Sequence, residues 1–183
     1  MRGYAHLTAR TLAAAAATVT VLAAAAAPAA PATGASVGQA PSPCRTADLS
    51  MAWAKGGTAK PGGTGDQDTA VVRLTHTGDR TCTLKGFPDV VLLDGTDRYD
   101  LPQAQVTPSR VTLAPGRSTT FTVVFLSEKD DPKQAFDAVK VAIAAPGDKA
   151  SKTLPWPWGP VTDQRSATHP GSYVLPVGAK ASS

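Results

Sequence analysis

The stretch that most constrains this chain is residues 81–94, where a cysteine, an aromatic residue before proline, an apolar run and a turn follow one another. Val90, Val91, Leu92 and Leu93 form an unbroken apolar run of strand length closed by Asp94-Gly95. Such a run suits a strand covered on both faces and therefore central in its sheet. Pro88 has no N–H to give to a ladder and holds Phe87 extended, so the strand starts after it and Phe87 is expected to aim inward.

The flanking sequence repeats the same grammar of short strands between turns. Leu49, Met51 and Trp53 are apolar at period two, which predicts a first strand over 49–53 with Trp53 on the core face. Residues 55–68 carry five glycines and Pro61 and read as a loop. The β-branched run at 70–77, ahead of the Thr77-Gly78-Asp79 turn, predicts a second strand. Residues 98–101 are expected to return as a short edge strand, and 102–108 to follow no regular pattern. Val111 and Leu113 lead into Ala114-Pro115-Gly116, a tight-turn signal. The cleanest amphipathic strand follows at 117–126, with Phe121, Val123 and Phe125 on one face and Thr120, Thr122 and Val124 on the other.

Glu128 to Ala135 is charged and contains Pro132, leaving room for one helical turn at most. Val139, Val141 and Ile143 then share one face of a further strand. Residues 152–160 are too rich in proline for a central strand and should lie along an edge, and 172–177 could form the last strand. With no helical pattern beyond residue 35, this is an all-β chain arranged as an antiparallel β-sandwich.

Residues 1–35 stand apart from that fold. Arg2 and Arg10 precede an apolar run and then a stretch of small residues, the pattern of a secretory signal peptide. Cleavage is expected after Ala32 or Ala35, and the apolar run is short for a membrane span. Cys44 follows Pro41-Ser42-Pro43 and not a lipobox, so release without a lipid anchor is expected. Residues 36–43 read as a linker, 44–178 as a single domain and 179–183 as a frayed end.

The formal charge of +4 falls once the first 35 residues are set aside, because they hold two basic residues and no acidic one, leaving 16 basic against 14 acidic. A nearly neutral chain with dispersed basic residues is no nucleic-acid binder. Asparagine is absent altogether, so there is no N-glycosylation acceptor. Cys44 and Cys82 are the only cysteines, and an even count in an exported chain reads as a disulfide, with two free thiols as the alternative. They cannot build a zinc site with scattered histidines, and copper would want a Met/His cluster where only Met51 lies beyond residue 35. No cofactor is expected.

Several of these residues together resemble a known family. Cys44, Thr75-His76-Thr77-Gly78, Thr81-Cys82-Thr83-Leu84 with Gly86-Phe87-Pro88, and Val111-Thr112-Leu113-Ala114-Pro115-Gly116 are similar to the actinobacterial secreted family catalogued as domain of unknown function 4232, over roughly 44–160. The resemblance implies an immunoglobulin-like β-sandwich at or outside the cell surface with Cys44 and Cys82 paired. It implies no catalytic residue. The chain departs from many members in lacking a lipidated cysteine, and His76 stands where the family often has Asn, most simply as a turn-entry substitution.

Chemistry-bearing constellations are few. Residues 34–38 match a nucleophile elbow formally, but they sit at the expected cleavage site and not between strand and helix. His76 and His169 have no sequence neighbour that makes a triad, although triads assemble in space. The clusters Asp94, Asp97, Asp100 and Glu128, Asp130, Asp131 could hold Ca²⁺, yet such groups more commonly serve turns as solvated acceptors. A secreted protease inhibitor would usually carry two disulfides. Trp156-Pro157-Trp158 is either packing over a sheet edge or a paired aromatic platform for a ligand. The expected function is a non-catalytic extracytoplasmic binding module, acting as a monomer on an envelope component or another protein; the alternative is a secreted hydrolase with a spatially assembled site.

Overall fold

The computed structural model describes residues 40–63 and 65–179. The expected signal peptide, its cleavage site, the elbow motif, residues 36–39 and residues 180–183 lie outside them. In chain order the strands are β1 (Ser42–Pro43), β2 (Leu49–Ala54), β3 (Gln67–His76), β4 (Cys82–Lys85), β5 (Asp89–Asp94), β6 (Asp97–Asp100) and β7 (Arg110–Leu113). They continue with β8 (Ser118–Leu126), β9 (Ala135–Phe136), β10 (Lys140–Ala144), β11 (Ser151–Pro155), β12 (Val161–Thr162) and β13 (Tyr173–Val174). A single 3-10 turn at Thr46–Asp48 is the helical structure among the described residues. None of their helices is long and apolar enough to cross a membrane.

The fold is an immunoglobulin-like antiparallel β-sandwich. Two four-stranded sheets, β13-β8-β3-β2 and β11-β10-β5-β6, carry it, joined by a three-stranded sheet β1-β4-β7 and the pair β12-β9. Period-two alternation builds the core: Val72 and Leu74 of β3 and Phe121, Val123 and Phe125 of β8 meet Val90 and Leu92 of β5 and Val141 and Ile143 of β10 in one buried cluster. Burying a Leu, Ile, Val or Phe side chain stabilises the fold by about 1.5–3 kcal/mol, so this cluster is its main support.

Several local expectations change. The stretch at 36–43 ends in a strand, because Ser42 and Pro43 pair in parallel with Cys82 and Thr83 and the Cys44 N–H donates to the Thr83 carbonyl at 2.9 Å. β5 is interior to its sheet, yet it alternates: Val90 and Leu92 are buried while Val91 and Leu93 are half-buried on the outer face. Phe87 is also only half-buried, and Pro88 is buried instead. Gly86 takes φ +120°, a conformation open to glycine, and the chain changes sheet there, so the alternation restarts beyond it.

Val139 does not share the inward face of Val141 and Ile143 but is 53% exposed. Its N–H donates to the Leu93 carbonyl, although Leu93 is the register partner of Lys140. Two residues thus oppose one, a β-bulge that shifts the phase between Ala138 and Val141. Phe136 and Ala138, buried before the bulge, belong to β9 and its continuation, which sequence periodicity did not mark.

β8 is buried on both faces, since Thr122 and Val124 are shielded along with Phe121, Val123 and Phe125. β13 lies alongside it, with Val124 paired to Tyr173 and Val123 to Val174. Gly178, one residue short of the expected frayed end, is tied down by its N–H to the Thr120 carbonyl at 2.8 Å.

Candidate functional site

Cys44 and Cys82 are joined, with Cα atoms 5.0 Å apart and 38 residues between them in sequence. The bond lies where β1 meets β4, so it pins the start of the domain to the stretch that begins at residue 81. Beyond it, the 3-10 turn docks on the β10–β11 hairpin through Thr46. The Thr46 Oγ1 accepts the buried Ala145 N–H at 2.8 Å, and the Thr46 N–H donates to Asp148 Oδ2 at 2.8 Å. That donation, followed by the Ala150 N–H, holds the Asp148 carboxyl below its ordinary value.

The tryptophans gather where β2, the edge of one sheet, meets β11, the edge of the other. Trp156 is 5% exposed, its ring edge-on to Phe125 at 4.9 Å and to Trp53 at 5.7 Å, and its Nε1 donates to the Gly159 carbonyl. Trp158 is half-buried and also meets Trp53 at 5.7 Å. Trp53 therefore stands against both rings, and its own Nε1 donates to the Pro155 carbonyl at 2.8 Å. Trp156 is thus packed in the core, while Trp53 and Trp158 stay half-buried. Lys152 completes the corner by donating from Nζ to the Ala47 and Leu49 carbonyls beside β2, which blunts an exposed sheet edge.

His76 closes β3 at the turn entry, as expected, but its side chain is buried. It is 2% exposed on the inward face of β3, which runs Asp68, Ala70, Val72, Leu74, His76, and its Nδ1 has no partner. Gly78 packs so closely on the imidazole that a Cβ there would come within 2.8 Å of Nε2. At the far end of that face, the Asp68 carboxylate accepts from Thr58 Oγ1 and Ser127 Oγ. His169 is exposed in the loop before β13. Among the described residues no hydrogen bond links either histidine to a serine and a carboxylate.

The acidic clusters serve their own turns. Glu128 Oε1 accepts the N–H groups of Lys129, Asp130 and Asp131, each at 3.0 Å, and Oε2 accepts from Thr162 Oγ1. The Asp131 and Asp130 N–H groups draw its carboxyl below the usual range. Asp97 accepts from the Arg165 guanidinium and the Arg98 N–H, which lower it in that order, and Arg165 also grips Asp163 while lying 5.4 Å over the Phe136 ring. Among the described residues no three His, Cys, Asp or Glu side chains are placed to hold a metal ion.

A concavity lies elsewhere, on the outer face of the β13-β8-β3-β2 sheet. It is a groove of about 880 Å³, a volume typical of small-ligand sites. Thr69, Val124, Tyr173 and Leu175, the outward residues of β3, β8 and the β13 segment, line its floor. Residues 102–107 with Ser109, and residues 168–170, line its walls. Gly178 closes one end at φ +84°, where a Cβ would meet Val111 Cγ2 at 2.9 Å.

Among the described residues, none that lines the groove is Asp, Glu, Lys or Arg. Its polar groups are the amides of Gln67, Gln103 and Gln105, hydroxyls such as Thr107 and Tyr173, and the His169 imidazole. Gln67 Nε2 donates to the Gly171 carbonyl at 2.8 Å. The side chains of Gln103, Gln105, Thr107, Ser109, His169 and Tyr173 make no hydrogen bond to the rest of the chain. A second, smaller depression of about 510 Å³ over β5, β6 and β10 is charged, but there Arg98 pairs with Asp100 and Asp148 with Thr46. Sequence reasoning missed the groove. Its one signal was Val124, which breaks the threonine row on a face that alternation would give to solvent.

Fold and groove together describe a disulfide-pinned immunoglobulin-like module with an uncharged, ligand-sized depression among its described residues. A family model described as "Domain of unknown function (DUF4232)" matches residues 44–179, and the chain belongs to that family. The match runs past residue 160 through β12 and β13, so the whole groove lies inside it. No curated protein matches the chain.

Proposed function

We propose that this protein is an exported, unlipidated, monomeric binding module without catalytic activity, which recognises an envelope component or another protein through the groove over β8 and β13. The observation that carries the reading is the groove's set of polar side chains with no hydrogen bond to the protein, whereas the Glu128 carboxylate is taken up by its own turn. The signal-like residues 1–35 support export, and the disulfide fits an oxidising compartment. The absence of any histidine bonded to both a serine and a carboxylate among the described residues favours binding over hydrolysis.

Co-sedimentation with the envelope fraction of the producing cell tests the reading. Wild-type protein should be retained. Val106→Arg, which places a charge on the groove wall at a residue already 49% exposed, should release it. Equal retention of the two proteins, or no retention of either, would contradict the proposal.

A further inference from the structure

We propose that the groove is a binding site for a neutral saccharide, an inference that rests on the groove being the binding site at all. Charge decides the first step. With no Asp, Glu, Lys or Arg on the described lining, an ionic ligand would be desolvated there without a counter-charge, which is costly.

Hydrogen-bonding capacity decides the second. The amides of Gln103 and Gln105 and the hydroxyls of Thr107, Ser109 and Tyr173 each donate and accept, as sugar hydroxyls do. Being uncommitted within the protein, they can serve a ligand without breaking an internal bond. Gln67 is already oriented through its amide to the Gly171 carbonyl, which leaves its Oε1 available as an acceptor.

Backbone pairing decides against a peptide added as a strand. The Val174 N–H donates to the Pro102 carbonyl and its carbonyl accepts the Ala104 N–H, so one edge of β13 is taken. The other is taken by β8, where the Leu175 N–H donates to the Thr122 carbonyl. No open ladder faces the groove at β13, and recognition falls to side chains. Leu175 and the Tyr173 ring, both half-buried over the shielded Val124, meanwhile supply an apolar floor on which the C–H faces of a pyranose can rest.

Calorimetric titration of the purified protein with neutral oligosaccharides (chitotetraose, maltotetraose and mannotetraose), with anionic tetragalacturonate, and with a neutral glycine-serine-proline peptide tests this. At least one neutral oligosaccharide should bind saturably at one site. The double variant Gln103→Ala, Gln105→Ala should weaken it by about tenfold or more, as expected for loss of two or more hydrogen bonds. Val106→Arg should weaken it too, with thermal midpoints unchanged in both variants. Lys152→Ala, at the tryptophan corner, should leave affinity as it was. Failure of every neutral oligosaccharide to bind, binding of the acidic sugar or the peptide alone, or binding that survives both groove variants overturns the inference. If the oligosaccharides fail while Val106→Arg still releases the protein from the envelope fraction, the saccharide is wrong and the binding groove stands. If Val106→Arg changes neither, the groove itself is wrong.

Discussion

Where β2 meets β11, aromatic rings and polar atoms are turned on each other; in the groove over β8 and β13, polar atoms are turned outward. At the first corner Lys152 serves two edge carbonyls, and Trp53 and Trp156 each donate to a carbonyl, with the buried Trp158 Nε1 the one atom left over. In the groove, only Gln67 among the amides is engaged with the protein. The corner carries the richer aromatic signal, the groove the weaker one. The contrast teaches that aromatic content marks where a small sandwich closes, whereas uncommitted polar groups over an apolar floor mark where it can receive something else.

The comparison is sharpest in stability. Trp156→Ala should cost about 3–5 kcal/mol, as large truncations in a packed core do, read as a fall in the denaturant midpoint. A loss within about half a kcal/mol would mean that the corner is surface and that the contrast is false. Replacing Cys44 and Cys82 together by serine should cost about 4 kcal/mol, the loop-closure value for the 38-residue separation, without abolishing folding. Thr46→Val keeps the side-chain shape but leaves the buried Ala145 N–H without its acceptor, and should cost about 1–3 kcal/mol.

Acid should loosen the committed regions. Asp97, Asp131, Asp148 and Asp163 are held below their ordinary 3.8 and Glu128 below 4.5, so all five are more acidic folded than unfolded. Their stabilisation is present above those ordinary values and is lost as pH falls through the lower, folded ones. The thermal midpoint should therefore decline from pH 4.5 downward. Asp148→Asn should flatten part of that decline, and a midpoint independent of pH would show that these contacts contribute nothing. The smallest effect belongs to the groove: Gln105→Ala should shift stability by no more than about half a kcal/mol, because the side chain has no protein partner to lose.

The strands were legible because their periodicity is local: Leu49 to Trp53, Val71 to Leu74 and Phe121 to Phe125 announce themselves within a few residues. So was the edge placement of residues 152–160, which follows from proline chemistry. Phe87 and Val139 were misplaced because Gly86 and the bulge at Val139 and Lys140 each reset the alternation, and such slips leave little trace in composition. His76 was placed rightly at the end of its strand, but its burial went unread, although the inward alternation of Val72 and Leu74 continues to it. The groove was the least legible part. Gln103, Gln105 and Thr107 sit in a segment without period, and they meet Gln67 and Tyr173 only through the pairing of β3, β8 and β13.

Hydrogen exchange read by mass spectrometry, with and without the envelope fraction of the producing cell, tests most directly whether the groove and not the aromatic corner is the receiving surface. Peptides covering 101–111 and 165–179 should gain protection while those covering 151–159 stay unchanged. Protection confined to 151–159, or none at either groove wall, would contradict the account and return the tryptophans to first place.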